Sequence, residues 1–484
     1  MIVAKRMMSQ ASLNWFGLSD HFSFPALVFI IMGKIGEILG GINLANMRLV
    51  HASFGLISIL MSYFLFRSFF SQFWALAAAI ILGVSHSLIG ISRMILWNNS
   101  ALLMEITALG LLCYGFKKKK LLFCFLGSLA AGLTLYVYFP ARVTIIIWFL
   151  FLLGSTFILK GISRKFVLKT ISISLLCFIL IAGPIIIATI NTPSEKFSYE
   201  KQQQLIFEEG RQMQKSWIGA STEAEGIKTN MINGLTVFNS TKSDYAYIYP
   251  NPGHGFVDPL TGVLVWVGVI LVISKSIIKR KFETFDLFNL IGLLTLIFFF
   301  SFITNKTPNY PRLLIILPFA VYFVVRGISL GLELLKGSNF TKYTVLITLA
   351  SLIWIWNLVI FNNFIQKGLK EGNDIGSTAR YVEIRKNIPG YSFYLLANSQ
   401  YPYYSWGNKS QWETWLGFFV GTNQHFEILP PENFTDQILQ KPFTVFMSNP
   451  LWSKSKLAFI EKYPNFQAQI IKPDGSLVAI EVNH

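Results

Sequence analysis

Four arginines are the groups in this 484-residue sequence best placed to do chemistry: Arg48, Arg93 in SRMILWNN, Arg142 in YVYFPAR and Arg312 in PNYPR. Each lies at the end of a long apolar run, with Lys34 and Lys306 near two of them. A guanidinium fork matches a phosphate bidentately, so several arginines converging at headgroup depth would suit a lipid-linked phosphate. A lone interfacial arginine can equally snorkel, so convergence separates the two readings. Arg93, Arg142 and Arg312 are the leading candidates for binding a phosphate, with Lys34 and Arg48 beside them. Trp97, Tyr136, Tyr138 and Tyr310 accompany these positions as an interfacial aromatic belt or as walls for a sugar ring. Asn98, Tyr136, Tyr138, His254 and Tyr310 are the candidate substrate-lining residues. Glu105 is a carboxylate inside an apolar run, a functional group or one with a packed polar partner. His51, one turn below Arg48, reads as a hydrogen-bonded core histidine. Asp258 before Pro259 has the form of a helix N-cap with Pro at the first helical position. The sequence has no GxxxxGK[ST], GxGxxG or HExxH, and Cys113, Cys124 and Cys177 all fall in apolar runs. No motif cradles a nucleotide phosphate, so an activated substrate would arrive by another route, such as a lipid tether.

The elements that carry these residues belong to a membrane. Hydrophobic residues make up 53% of the chain and charged ones only 13%, about half the usual charged share. Ten spanning helices are expected at 45–66, 73–92, 98–116, 121–138, 142–159, 167–190, 259–278, 287–304, 312–331 and 342–362. Alternate connections are basic: Arg67; Lys117 to Lys120; Lys160, Arg164 and Lys165; Lys275, Lys279, Arg280 and Lys281; Lys336 and Lys342. The positive-inside rule makes these cytoplasmic. The long loop 191–258, with 6 Lys/Arg against 8 Asp/Glu, and the tail 363–484, with 11 against 10, then face out. The net charge of +17 thus reports topology and gives no reason to invoke nucleic acid.

The same assignment puts residues 1–44 outside, as a partial first extracytoplasmic loop. The start MIVAKRMMSQ is not a signal peptide, and an upstream helix is expected, with the reading frame truncated. Segment 25–39 is too short to span and carries Lys34 and Glu37 three apart, which suits an interfacial helix. Residues 45–363 form the transmembrane domain. Residues 364–484 read as a soluble extracytoplasmic α/β domain. Its strands are expected at 392–399 and 443–449 and in a hairpin about Pro473-Asp474-Gly475, with helical spacing at 374–388 and 454–463. Stretch 200–245 is polar and weakly periodic, a long loop with room for one or two helices.

Several stretches together resemble the polyprenyl-phosphate-dependent glycosyltransferases of the GT-C class. These include the protein O-mannosyltransferase family (glycosyltransferase family 39), the aminoarabinose transferases and the lipopolysaccharide-core galacturonosyltransferases. The stretches are residues 24–58, the SRMILWNN turn, GLTLYVYFPARV (132–143), DPLTG (258–262) and PNYPRLLIILP (308–318); the tail 462–482 is similar to the soluble ending of such chains. The resemblance implies an integral protein of the cytoplasmic membrane that moves a sugar from a polyprenyl phosphate to an acceptor hydroxyl at the outer face. The acceptor would be a lipid, glycan or protein. A carboxylate would take the hydroxyl proton, worth roughly 10²–10⁴-fold, while cations stabilise the leaving phosphate. Relatives carry an acidic pair in the first outer loop. Asp20 and Glu37 are the acids of that loop here, though neither matches the motif position, and Asn98 and Asn99 stand where relatives have a further acid. No cofactor is expected. Metal dependence varies in the class, and no ligand cluster marks a divalent cation site. A lipid-glycan flippase or transporter would also need many helices and cavity-facing cations. An O-antigen ligase or polymerase-like transferase would share the donor.

Overall fold

A computed structural model describes residues 8, 14–19, 24–42, 44–94, 97–158, 162–242, 254–334, 339–368, 392–396, 425–429, 442–448, 461, 463–470 and 477–482. The chain divides into two compact units, Val3–Asn363 and Phe364–His484.

The first unit is helical. Its helices are α1 (Ala26–Ile38), α2 (Leu44–Phe69), α3 (Gln72–Gly83), α4 (His86–Ser92), α5 (Asn98–Lys118), α6 (Leu121–Leu133), α7 (Arg142–Ile158) and α8 (Arg164–Ile190). Three shorter ones follow, α9 (Ser198–Gln202), α10 (Glu208–Ile218) and α11 (Glu223–Leu235). Then come α12 (Pro259–Ile278), α13 (Thr284–Phe298), α14 (Tyr310–Leu334) and α15 (Asn339–Gly368). Eight of the ten expected spans are single helices long and apolar enough to cross a membrane, so the protein is a multi-pass membrane protein.

The other two spans depart from expectation. Segment 73–92 is a bent pair, α3 and α4, at 59° to one another. The break restarts a helix at His86, whose N–H would be left without an intrahelical partner; Asn357 Oδ1 of α15 accepts it at 2.8 Å. The apolar content of 73–92 is continuous, which is why hydropathy alone reads it as one helix. Segment 121–138 is a shorter apolar helix that tightens into a 3-10 turn at Thr134–Tyr136 before Pro140.

Packing follows from small residues where helices meet. α5 packs between α2 and α6, α6 against α8, and α12 against α14. At the last crossing a Cβ on Gly268 would lie 2.0 Å from Phe323 O, and one on Gly327 would lie 2.7 Å from Gly268 Cα. The Asp258–Pro259 start of α12 is capped: Asp258 Oδ1 accepts from Thr261 N at 2.9 Å, and Asn357 Nδ2 donates to Oδ2 at 2.8 Å. At the far end of α14, Arg326 donates to both Asp286 oxygens at 2.9 Å and to Glu283 at 2.6 Å, and Lys275 pairs with Glu283 at 3.1 Å. This network ties α12, α13 and α14 together. α1 buries Ala26, Phe29, Ile30 and Met32 against Met47 and Val50 of α2, with Trp97 packed alongside.

In the second unit five strands form one mixed sheet in the order β2-β1-β3-β5-β4: β1 (Ser392–Leu396), β2 (His425–Leu429), β3 (Phe443–Ser448), β4 (Phe466–Ile470) and β5 (Leu477–Val482). β1 runs parallel to β2 and β3, and β5 runs antiparallel to β3 and β4. The β4–β5 pair is the hairpin expected around Pro473-Asp474-Gly475; those three turn residues, and nearly all of the helical segments 374–388 and 454–463, lie outside the described residues. Phe393, Phe443, Val445, Phe446 and Ile480 are fully buried and make the core of this sheet.

Candidate functional site

Loop 304–309 joins α13 to α14. It follows a π-helical turn at Phe299–Ile303, a wide turn that recurs at functional sites. The loop has no regular backbone ladder of its own, so its polar groups need other partners. Amide side chains from the 191–242 segment supply them. Asn230 Nδ2 donates to Ser301 O at 3.0 Å and Thr304 O at 2.8 Å, and its Oδ1 accepts from Thr307 N at 2.9 Å. Gln214 Oε1 accepts from Lys306 N at 2.6 Å, and Asn233 Nδ2 donates to Thr307 O at 2.7 Å. Asn305 reaches back to Gln202 O at 2.6 Å. The polar stretch read as a loop with one or two helices therefore carries three, α9 to α11, and clamps this segment.

Two cations emerge from the clamp. Arg312, in the first turn of α14, is only 3% exposed. Its Nη1 donates to Asn305 O at 2.9 Å, its Nη2 bonds Gln203 Oε1, and its guanidinium lies 5.2 Å from the Phe139 ring centroid. Lys306 Nζ stands 3.8 Å from the Trp217 ring centroid. Neither cation pairs with a carboxylate among the described residues. Burial, with the Arg312 charge adding to it, pulls Lys306 down to about 8 from lysine's usual value near 10.5.

One turn of chain serves two of the three leading arginines. Glu200 of α9 pairs with Arg142 at 3.3 Å, while Gln203, three residues on, holds Arg312. Residues three apart on a helical turn are neighbours, so one short segment contacts both side chains. Tyr199 and Tyr138 stand beside Arg312, and Asn98 bonds Tyr138. Tyr138 lies 5.3 Å from Trp97, Trp97 lies 4.8 Å from Phe24, and Phe24 lies 5.7 Å from Tyr199, measured between ring centroids. These rings form a connected aromatic wall that meets Arg312 at Tyr138 and Tyr199.

The remaining candidates lie elsewhere or serve the frame. Arg93 is exposed, with its guanidinium 5.3 Å from the Phe361 ring of α15, and joins neither Arg142 nor Arg312. Arg48 is exposed. Lys34 and Glu37 pair with each other at 3.2 Å on the exposed face of α1, which leaves Glu37 committed to a surface ion pair. Asp20 lies outside the described residues. Tyr136 and Tyr310 are fully buried, and their hydroxyls donate to Ile181 O at 2.8 Å and to His254 O at 2.8 Å, so both act as packing posts rather than lining. Half-buried His254 meets Tyr310 through its backbone carbonyl. Glu105 is buried in α5 against Thr144 of α7. Among the described residues no three His, Cys, Asp or Glu side chains come together as metal ligands. Sequence reading noted Lys306 without placing it in the site, and missed Tyr199, Glu200, Gln203 and Trp217. These sit in a stretch whose composition resembles any solvated loop.

This arrangement of helices occurs in solved structures. The Archaeoglobus fulgidus oligosaccharyltransferase in its apo form superposes with a TM-score of 0.53 at 12% identity, over 94% of this chain and 66% of that one. The same enzyme tethered to an acceptor peptide containing the NVT sequon gives 0.52 at 11% identity, over 92% and 63%. Its complex with Zn and sulfate gives 0.52 at 11%, over 92% and 62%. The chain therefore spans less than two thirds of the length of these structures. No protein-family model matches the chain, and no curated protein matches its sequence. The likeness is one of fold: a GT-C-type polytopic helical membrane domain followed by a small C-terminal sheet domain.

Proposed function

We propose that this protein is a membrane glycosyltransferase that takes a sugar from a polyprenyl-phosphate donor and passes it to an acceptor hydroxyl on a lipid, glycan or protein. One observation carries the reading: Arg312 and Lys306 are buried side by side, and among the described residues only neutral acceptors and aromatic faces contact them. Buried charges need a partner of opposite sign, so a pair of cations held this way calls for an anionic ligand. A lipid-linked phosphate is the anion that fits a site at the end of a membrane helix, with the aromatic wall of Trp97, Tyr138 and Tyr199 available to a sugar ring. The GT-C-type fold supports the same reading.

In the proposed reaction the acceptor oxygen bonds to the anomeric carbon and the carbon–oxygen bond to phosphate breaks. The acceptor proton passes to a carboxylate, and the bond's electron pair stays on the phosphate, where the cations stabilise it. The proposal places the site on the outer face of the cytoplasmic membrane. Specialisation toward protein O-mannosylation or cell-envelope glycan modification belongs to it as well. The bent pair α3/α4 is the feature a flippase would exploit, but Asn357 fills the break, which favours a fixed site over a moving one.

The test is transfer of radiolabelled sugar from polyprenyl-phosphate donors by the purified protein, run beside donor binding. Binding that disappears in Arg312→Ala, together with transfer by the unaltered protein, supports the reading. Failure to bind any polyprenyl phosphate removes it.

A further inference from the structure

Among the described residues, segment 198–203 and loop 304–309 bring in four charged groups: Arg142, Lys306, Arg312 and Glu200. Glu200 neutralises Arg142 at 3.3 Å. Arg312 is bonded to a backbone carbonyl and two amide oxygens, and Lys306 lies on the face of Trp217. Among the described residues two positive charges, those of Lys306 and Arg312, are therefore left without a carboxylate in a poorly hydrated place. A sugar phosphodiester brings one negative charge to such a site and leaves one cation unmatched. A phosphomonoester, with its second ionisation near pH 6, brings two over most of the neutral range.

The backbone at Lys306 gives a second, independent sign. Its φ is +59°, a left-handed conformation that non-glycine residues rarely adopt. The surroundings hold it there: its own N–H goes to Gln214, the next to Asn230, and the preceding one to Gln203 O at 3.2 Å. A strained residue fixed from both sides, with its ammonium group set against an aromatic face, is the arrangement expected where a side chain must be aimed.

We infer that Lys306 and Arg312 form a dianion site matched to the phosphomonoester that leaves during transfer rather than to the phosphodiester that enters. This rests on the glycosyltransferase reading above and adds a role for Lys306. As the carbon–oxygen bond breaks, the phosphate passes from one negative charge to two, and Lys306 meets the second as it develops. Interactions stronger at that moment than in the bound donor speed the reaction, which donor binding alone does not. The depressed pKa of Lys306 is consistent: the site disfavours its second positive charge until a second negative one arrives.

The experiment uses the full chain in detergent at pH 7.5 and two probes, a short-chain prenyl phosphate and its methyl phosphodiester, with affinities measured calorimetrically. The unaltered protein is expected to bind the monoester about tenfold more tightly or better, since each added charge-assisted contact is worth that order. Lys306→Gln is expected to bring the two probes within about twofold of each other, mainly by weakening the monoester. Lys306→Arg, which keeps the charge, is expected to retain the preference. With a natural donor, Lys306→Gln should lower kcat while leaving KM nearly unchanged. Equal binding of both probes by the unaltered protein overturns the dianion site and leaves the donor-phosphate reading standing; binding of neither overturns both. If Lys306→Gln does not fold, the monoester-to-diester ratio of the unaltered protein decides alone.

Discussion

At Arg312 the local chemistry is a guanidinium 3% exposed whose acceptors are all neutral, and the consequences can be measured. Arg312→Ala should weaken polyprenyl-phosphate binding roughly ten- to a hundredfold, the effect of losing a charge-assisted contact of about 1.5–3 kcal/mol. Arg312→Lys should recover only part of it, because an ammonium cannot offer two parallel N–H groups. Arg93→Ala should shift the same affinity by no more than about twofold, since Arg93 lies over Phe361 and apart from the pair. The sign of the pH effect follows from Lys306, whose pKa of about 8 means it is charged at neutral pH and loses its proton as pH rises through that value. The groups that face it are Arg312, the Trp217 ring and the amides of Gln214 and Asn230, so no carboxylate opposes the trend among the described residues. Affinity for a phosphate-bearing lipid should therefore fall between pH 7 and pH 9, and this limb should flatten in Lys306→Gln. In folding terms the lowered pKa makes stability rise between about pH 8 and lysine's usual value near 10.5, because the unfolded chain then binds the extra proton. Bound phosphate should reduce that rise.

Among the elements, the segment 191–242 has the most to teach. Its helices α10 and α11 hold loop 304–309 through Gln214, Asn230 and Asn233, and Glu200 of α9 with Gln203 just after it contacts Arg142 and Arg312. Asn230→Ala removes one acceptor and three donated bonds from a buried place, and each unmet group there costs about 1–3 kcal/mol. The variant should melt several degrees lower in detergent and bind donor phosphate more weakly, although Asn230 is not among the residues proposed to touch the ligand. Gly268→Ala should also lower the melting temperature, because the added Cβ meets the Phe323 carbonyl of a packed helix and neither backbone can yield cheaply; overpacking of this kind costs about 1–3 kcal/mol. Sequence alone made the spans legible, since a run of about twenty apolar residues has few other uses. It also made the Asp258–Pro259 cap and the β4–β5 hairpin legible, because each has a local signature. The amide clamp left no such trace: Gln203, Gln214 and Asn230 carry neither charge nor periodicity, and only their tertiary partners reveal what they do. The arginines were visible one at a time, but that α9 joins two of them and leaves Arg93 aside is a property of the folded chain.

For the molecule as a whole, the charge of the connections sets which end faces which compartment. The basic turn at Lys117 to Lys120 and the site loop lie in connections of opposite parity, so they should be on opposite sides of the membrane. The native cysteines Cys113, Cys124 and Cys177 are buried, which keeps background labelling low. An impermeant thiol reagent applied to intact cells should label Glu209→Cys and spare Lys118→Cys; equal labelling of both would overturn the assignment. The two ends also differ in how they are fastened. At one end Arg326, Asp286, Glu283 and Lys275 bind α12, α13 and α14 through opposite charges. At the other end neutral amides hold loop 304–309, ion pairs join Arg142 to Glu200 and Arg211 to Glu223, and among the described residues Lys306 and Arg312 are left without a carboxylate.

That choice of fastening has a consequence for the response to salt. Ion pairs at an exposed surface loosen as ionic strength rises, but hydrogen bonds between uncharged amides and carbonyls hardly notice it. Loop 304–309, held by those amides, should therefore keep its shape from dilute buffer to molar salt even as the partly exposed Arg142–Glu200 and Arg211–Glu223 pairs weaken. Added electrolyte would act on the approach of a charged lipid and leave the seat that receives it unchanged, so that it slows association while the rate of release stays almost constant.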